Sequence, residues 1–266
     1  MAKIIDGKAI AERVKNQIAK NIFALNGPRP NLAIILVGER EDSKLYVSLK
    51  EKEGKKVGID THLYLFASDT SEDELLATIN FLNKDNLIDG ILVQLPLPEK
   101  FNTDKIIAAI DPAKDVDGFH PNCPEYILSP VLASILACLE EINFLPSGKK
   151  ACVLYNSEVF GLSIKNALVA KGMEVSLKDN PAEADLLISA LGEAHKVKKE
   201  MIKQDAVIID IGISKLDGKV VGDIDVEDVL NKIGYITPVP GGIGPMTIAF
   251  LFKNVWEIYK RHQNNS

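Results

Sequence analysis

Apolar runs of strand length alternate with segments of helical periodicity along almost the whole chain. The clearest strand is residues 88–93, a β-branched apolar run typical of a parallel strand buried on both faces. A helical stripe of Ile10, Val14 and Ile18 marks residues 8–24 as an amphipathic helix. Alternation of this kind predicts an α/β fold in which helices cover both faces of a mostly parallel sheet.

The alternation falls into two successive groups, each predicting a three-layer α/β domain. The first group has strands at 32–37, 60–66 and 88–93, and Ser71 begins a capping box that opens one of its helices. The second group starts with a strand at 150–155, a turn and a helix at 159–170. Strand, turn, helix and strand in this order open a Rossmann-like dinucleotide-binding fold.

Composition excludes several function classes. The 266 residues carry a formal net charge of −6 and no basic cluster, which argues against nucleic-acid binding. No apolar stretch approaches membrane-spanning length, and the N-terminus lacks a signal-peptide core. Cys123, Cys138 and Cys152 are widely spaced and form no Cys-x-x-Cys pair, which fits a reducing compartment. We therefore expect a cytoplasmic protein without membrane or nucleic-acid partners.

Tyr46 and Lys50 are the first candidate catalytic pair. Four residues apart, they share one face of a predicted helix. A lysine held in a partly dry cleft can have its pKa lowered far enough to act as an acid or base. The alternative is a solvated helix face, because Lys44 and Lys52 make this region rich in lysine.

Two further segments are candidates for ligand contact. Gln94 follows the 88–93 strand, and ligands bind at the carboxyl ends of strands in α/β sheets; the alternative is that its amide only satisfies loop backbone groups. The segment 111–121 carries alternating carboxylates, which suit either a metal loop or a solvated turn. The further ligands and closing glutamate of a helix-loop-helix calcium site are missing, so we predict no metal here.

Four motifs occur in order and at the separations of one known family. They are Tyr46-x-x-x-Lys50, residues 93–98 (Val-Gln-Leu-Pro-Leu-Pro), residues 114–118 (Lys-Asp-Val-Asp-Gly) and residues 237–247 (Thr-Pro-Val-Pro-Gly-Gly-Ile-Gly-Pro-Met-Thr). Through them the chain resembles the bifunctional methylenetetrahydrofolate dehydrogenase / methenyltetrahydrofolate cyclohydrolase family over nearly its full length.

The resemblance implies an activity and a domain plan. The activity is oxidation of methylenetetrahydrofolate with NADP, followed by hydrolysis of the methenyl product to formyltetrahydrofolate. The plan is a folate-binding catalytic domain of residues 1–122 plus 247–266, with the C-terminal helix packing back on it, and a Rossmann-like NAD(P)-binding domain of residues 123–246. Family members are typically homodimers, and we carry this over as an expectation.

The resemblance also implies the residues of the folate site. Lys50 is similar to the family's catalytic lysine, Tyr46 to its neighbour in the folate site, and Gln94 to the amide that positions the lysine. Asp117 is similar to the carboxylate that holds the pterin ring, whose adjacent N–H groups suit a charged acceptor. The remaining expected substrate contacts are Pro240, Gly241 and Gly242. The glycines allow close backbone approach, and they also suit a tight turn with positive φ.

The cofactor turn departs from the family pattern. Where the family has Gly-Arg-Ser, this chain has Tyr155, Asn156 and Ser157, followed by an acidic Glu158. Tyr155 adds bulk where glycine lets phosphates approach, and Asn156 has no charge for a ribose phosphate. Ile213 matches a residue lining the nicotinamide side.

The chain between the second and third strands of this domain is also too short for the usual crossover helix. We expect NADP as cofactor, with NAD possible, and a weakened, altered or lost affinity. Two alternatives follow: a monofunctional cyclohydrolase, or a folate-binding protein without catalysis.

Overall fold

The computed structural model describes residues 2–265, which form two compact units. One unit comprises the segment up to Ala11 together with Val131–Thr247, and the other comprises Glu12–Pro130 together with the chain from Ile248 onward. The elements in chain order are β1 (Lys3–Ile4), α1 (Gly7–Phe23), β2 (Asn31–Val37), α2 (Glu41–Val57), β3 (Asp60–Phe66), α3 (Glu72–Lys84), β4 (Gly90–Val93), α4 (Thr103–Ala108), α5 (Pro130–Glu141), β5 (Lys150–Tyr155), α6 (Glu158–Ala170), β6 (Glu174–Leu177), β7 (Leu186–Ala190), β8 (Val207–Asp210), β9 (Ser214–Leu216), β10 (Lys219–Val221), α7 (Val226–Val229), β11 (Tyr235–Ile236) and α8 (Ile243–Asn265).

The unit built around residues 12–130 is a three-layer sandwich on a short parallel sheet. Its strand order is β3-β2-β4, with β2 in the centre. Successive side chains of a strand point to opposite faces. Leu32, Ile34 and Leu36 of β2 accordingly pack into one core with residues of α1, α2 and α8, while Ala33 and Ile35 pack into a second core with residues of α3 and α4. The predicted return of the C-terminal helix to this unit is confirmed, because Phe252 and Val255 are fully buried in the first of these cores.

Helix α3 begins where the sequence pattern predicts. The Ser71 side chain accepts a hydrogen bond from the Glu74 backbone N–H at 3.2 Å, which satisfies one of the free amide donors of the first turn.

The other unit is a six-stranded parallel sheet of the predicted Rossmann-like type. Its strand order is β1-β11-β8-β7-β5-β6. The chain leaves β5 for β6 on one side and then crosses to β7 on the other side, so the strand order reverses at β5. In open α/β sheets the ligand crevice lies at such a reversal, at the carboxyl ends of the strands.

Strand β1 explains a difference from the predicted domain ranges. Residues 1–122 were assigned to the folate domain, but Lys3 and Ile4 pair with Tyr235 and Ile236 of the Rossmann-like sheet. The segment up to Ala11 therefore groups with that sheet, and the second boundary falls at 130/131 rather than 122/123. A two-residue strand has no periodicity to read, so the pairing could not be anticipated. Met1 and Ser266, both included in the predicted ranges, lie outside the described residues.

The connection from β6 to β7 is as short as the sequence indicates. A single 3-10 turn, Pro181–Glu183, replaces a crossover helix. Strand β8 ends at Asp210, whose carboxylate accepts hydrogen bonds from the Asp223 and Ile224 N–H groups at 3.1 Å each. Within residues 2–265, none of the helices combines the length and apolar character needed to cross a membrane.

Asn254 of α8 connects this helix by hydrogen bonds to the acidic segment, residues 111–121, and to the chain that follows it. Its buried amide donates to Val116 O at 2.9 Å and to Leu128 O at 2.8 Å. We expect Asn254→Ala to lower the free energy of unfolding by about 2 kcal/mol, because two buried carbonyls lose their donor. Urea unfolding measures this loss, and exposed Lys253→Ala is the matched control. Equal stability of the two variants would contradict the assignment.

Candidate active site

Helix α2 places Tyr46 and Lys50 one turn apart, both half-buried. Lys44 and Lys52 of the same helix are exposed. Burial lowers the pKa of Lys50 from its ordinary 10.5. Burial, with a smaller contribution from the charge of Asp42, raises the pKa of Tyr46. Lys50 therefore does not lie on a fully solvated face, and its catalytic role stays a prediction.

Gln94 is bonded directly to Lys50. It follows β4, and its N–H extends the sheet ladder by donating to Ile35 O at 2.8 Å. The Gln94 side-chain Nε2 donates to Leu95 O at 2.7 Å, which turns Oε1 toward the lysine. Lys50 Nζ donates to that Oε1 at 2.9 Å. The amide thus orients the ammonium, in addition to satisfying a loop carbonyl.

The carboxylates of the acidic segment, residues 111–121, differ in the groups that they contact. Asp115 forms the turn: its Oδ1 accepts from the N–H groups of Asp117 and Gly118 at 3.1 Å each, and its Oδ2 accepts from His120 N–H at 2.7 Å. Buried Lys114 donates to Leu82 O and Asp85 O, at the end of α3. Among the described residues, no group of three or more His, Cys, Asp or Glu is arranged to hold a metal ion.

Asp117 is coupled electrically to Lys50. Burial raises the pKa of Asp117 to about 6; the positive charge of Lys50 opposes this shift, and the charge of Asp115 adds to it. Reciprocally, the charge of Asp117 opposes the lowering of the Lys50 pKa. Each of these two charges therefore favours the ionised form of the other group.

Ser43 is a candidate that the sequence analysis did not assign. It lies on α2 one turn before Tyr46 and is 3 % exposed. Within the described residues its Oγ is a buried side-chain atom with no hydrogen-bond partner. Buried hydroxyls are normally paired, so this one needs an explanation such as a ligand. A serine among polar residues gives no signal in sequence that could have identified it.

Pro240, Gly241 and Gly242 belong to the Rossmann-like unit, in the segment between β11 and α8. Gly241 has φ of +108°, a conformation that favours glycine, and its carbonyl accepts from Lys8 N–H at 3.1 Å. A side chain at Gly242 would overlap Pro238 O. The positive φ of a tight turn is therefore found at Gly241, whereas Gly242 is restricted by close packing. The contact of both glycines with substrate stays a prediction.

Tyr155 ends β5 with its side chain inside the unit. The residue is 5 % exposed, and its ring occupies the space that a side chain at Gly161 would need. Its hydroxyl donates to Glu158 Oε2 at 3.1 Å. The ring of Tyr155 is thus packed against helix α6, and the Glu158 carboxylate accepts a hydrogen bond from the Tyr155 hydroxyl.

The rest of the turn suits a dinucleotide. Ser157 is the exposed N-cap residue of α6, and its side chain makes no capping hydrogen bond. The amide donors of a helix N-terminus are suited to phosphate. Asn156 Nδ2 donates to Leu191 O at 3.1 Å, across to the segment after β7. Ile213, 47 % exposed, follows β8 and offers an apolar surface. The helix N-terminus and the exposed polar and apolar side chains present here fit a bound NADP. The contact of Tyr155, Asn156, Ser157 and Ile213 with that cofactor stays a prediction.

The raised pKa of Asp117 makes stability depend on pH. Between its ordinary value of 3.8 and about 6, the folded protein holds more proton at this carboxyl than the unfolded chain does. The free energy of unfolding therefore falls as pH rises through this range. Asp117→Asn removes the titration, so the variant should gain stability relative to the wild type between about pH 4 and about pH 7.

Urea unfolding across that range measures the difference. The control is Asp42→Asn, because the pKa of Asp42 is lowered to about 2 and its charge does not change above about pH 5. A difference between Asp117→Asn and wild type that is independent of pH would show that this carboxyl is not perturbed.

Comparisons with known proteins identify the family of this chain. Residues 5–117 match the family described as tetrahydrofolate dehydrogenase/cyclohydrolase, catalytic domain, and residues 130–263 match its NAD(P)-binding domain. A bifunctional protein FolD from Halothermothrix orenii is 40 % identical, with 98 % of this chain and 99 % of that protein aligned.

Solved structures give the same result. The bifunctional FolD enzyme of Campylobacter jejuni is 36 % identical, covers 98 % of this chain and 99 % of its own, and has a TM-score of 0.94. The Trypanosoma brucei dehydrogenase-cyclohydrolase, solved with NADP and an inhibitor, is 28 % identical with 98 % of each chain covered and a TM-score of 0.91. The chain therefore belongs to the tetrahydrofolate dehydrogenase/cyclohydrolase family.

Proposed function

We propose that this protein oxidises methylenetetrahydrofolate to methenyltetrahydrofolate with NADP and hydrolyses the methenyl product to formyltetrahydrofolate. The observation that carries the proposal is the half-buried Lys50, whose amine is bonded to Gln94 and coupled to Asp117. Family membership over nearly the full length supports both steps. It does not favour the monofunctional or non-catalytic alternatives.

Asp117 is the proposed anchor for the pterin ring. Because Asp115 supplies the acceptors for the turn, the Asp117 carboxylate is left for a ligand. With a pKa of about 6 it is mostly ionised at neutral pH. An ionised carboxylate accepts two adjacent N–H groups with more energy and better geometry than a neutral acceptor. Tyr46, on the face of α2 beside Lys50, contributes a ring to the same site.

Lys50 manages the protons of hydrolysis. Its lowered pKa increases the fraction of neutral amine near neutral pH, and Gln94 holds that amine in place. Water forms a bond to the methenyl carbon and loses a proton to the neutral amine. One carbon–nitrogen bond of the bridge then breaks as Lys50 returns a proton to the departing nitrogen. The hydroxyl of the hydrated carbon releases its own proton to solvent as the formyl C=O forms, so that hydrolysis yields one net proton. A cationic substrate lowers the pKa of a nearby ammonium further.

The Rossmann-like unit is proposed to hold NADP, which when bound accepts the hydride from the one-carbon bridge. The N-terminus of α6 and Ser157 would bind phosphate, Tyr155 and Asn156 would shape the turn, and Ile213 would pack against the nicotinamide. Pro240, Gly241 and Gly242 would bring backbone close to the folate. The affinity for NADP stays a prediction that only a binding measurement tests.

We also propose a cytoplasmic homodimer. Both statements rest on resemblance to the family, and the free thiols of Cys123, Cys138 and Cys152 are compatible with a reducing compartment. Sedimentation velocity tests the assembly, since a single species at the monomer mass would contradict it.

Lys50→Met separates catalysis from binding. On one wild-type preparation we expect both methenyltetrahydrofolate hydrolysis and NADP reduction with methylenetetrahydrofolate, each followed by absorbance. Lys50→Met should lower the rate of hydrolysis by about 10²–10⁴-fold, the usual contribution of a positioned acid or base. Lys52→Met, exposed on the same helix, removes the same charge and should behave as wild type.

The outcomes distinguish the alternatives. Hydrolysis unchanged in Lys50→Met would remove the lysine from the mechanism. Wild-type hydrolysis without NADP reduction would favour a monofunctional cyclohydrolase, and absence of both activities in folded protein would favour a folate-binding protein.

Ser43→Ala tests whether the unpaired hydroxyl contacts the substrate. Loss of one hydrogen bond to bound folate should raise KM for methenyltetrahydrofolate by about five- to tenfold. The free energy of unfolding should stay the same or rise, because a buried unpaired hydroxyl is removed. Ser48→Ala, exposed on the same helix, is the control. An unchanged KM together with increased stability would mean that Ser43 is only a packing residue.

A further inference from the structure

A cation lies at the carboxyl end of β6, beside the cofactor turn. Lys178 follows β6 directly, and its N–H continues the parallel ladder by donating to Val153 O of β5 at 3.0 Å. Its φ of +57° places the residue in the left-handed region, where the chain turns out of the strand. Lys178 therefore lies at the same edge of the sheet as the β5–α6 turn.

The ammonium group is held over that turn. Lys178 Nζ lies 4.0 Å from the centroid of the Tyr155 ring, within the range of a cation–π contact. The ring is itself fixed, since it is packed against Gly161 and its hydroxyl is bonded to Glu158. An exposed lysine on a mobile stem is normally free to sample many positions, whereas this one has a preferred position above a buried aromatic ring.

In a Rossmann fold, side chains at the carboxyl end of the second strand contact the adenosine ribose, and β6 is that strand here. In such folds a side chain about 20 residues after the phosphate turn, at the end of the second strand, contacts the ribose 2′ position. An acidic side chain there hydrogen-bonds the 2′-hydroxyl of NAD, and a nearby cation accommodates the 2′-phosphate of NADP. Strands β5 and β6 with helix α6 form this unit, and Lys178 occupies this position.

The side chains next to Lys178 are less suited than its ammonium to bind a phosphate. The Asn156 amide is neutral and bonded to Leu191 O. Asp179, the next residue, accepts from Asn180 Nδ2 at 3.0 Å, and its carboxylate is the competing feature, since it would suit a 2′-hydroxyl. The ammonium of Lys178 contacts the turn through the Tyr155 ring, whereas the Asp179 carboxylate is bonded to Asn180. The Glu158 carboxylate at the same turn is bonded to the Tyr155 hydroxyl and, as an anion, does not suit a phosphate.

We propose that Lys178 binds the 2′-phosphate of NADP and so determines the preference of this protein for NADP over NAD. The inference rests on the proposed function and adds a specificity-determining residue to it. An ammonium acts as a point charge toward a phosphate, so the contact does not need the bidentate geometry of an arginine.

Calorimetric titration with NADP and with NAD, in the absence of folate, tests the assignment. Lys178→Met should raise the dissociation constant for NADP by about tenfold or more, the effect of losing one charge-assisted contact, and leave that for NAD unchanged. Lys178→Arg, which keeps the charge, should retain the preference for NADP. The control is Lys171→Met, which removes an equal charge at the opposite end of α6. Thermal unfolding of each variant confirms that it is folded.

The results separate this inference from the proposed function. Three results would overturn the role of Lys178 while dinucleotide binding stands. They are a preference for NADP that survives in Lys178→Met, an equal loss of affinity for both dinucleotides in that variant, and a wild type that prefers NAD. A wild type that binds neither dinucleotide contradicts the proposed dehydrogenase activity, and the assignment of Lys178 fails with it.

Discussion

Parallel pairing around β4 is the constraint on which the folate-site chemistry depends. Strand β4 pairs with β2 on one side, and on the other a parallel bridge joins Ile91 to Asp115. Parallel chains run in the same direction, so Gln94 after β4 and Asp117 after the bridge emerge at the same edge of the sheet. Helix α2 then supplies Lys50 to that edge, where its amine reaches the Gln94 amide.

The pKa of the half-buried Lys50 is set by two opposing effects at this edge of the sheet. Desolvation lowers the pKa of Lys50, and the nearby Asp117 carboxylate restores some of the preference for the charged form. Because Asp115 satisfies the turn, Asp117 can be charged and available without the segment losing its backbone support.

The cofactor turn shows how a bulky residue is accommodated where the family pattern has a small one. Tyr155 stands where the family pattern has glycine, yet its ring packs on Gly161 and stays inside the unit. The expected steric conflict depended on the side chain pointing outward, and a strand residue can point to either face of its sheet. The short β6–β7 connection was read correctly because loop length is directly visible in sequence.

The sequence by itself determined the α/β class, the Rossmann-like second unit, the cap at Ser71 and the Tyr46, Lys50, Gln94 and Asp117 motifs, because periodicity, capping residues and motif spacing are local properties. Only the tertiary structure decided that Lys50 is half-buried while Lys52 is exposed, that Asp115 forms the turn, and that β1 joins the second sheet. Each of these depends on a partner distant in the chain, and burial and long-range pairing exist only once the units have folded.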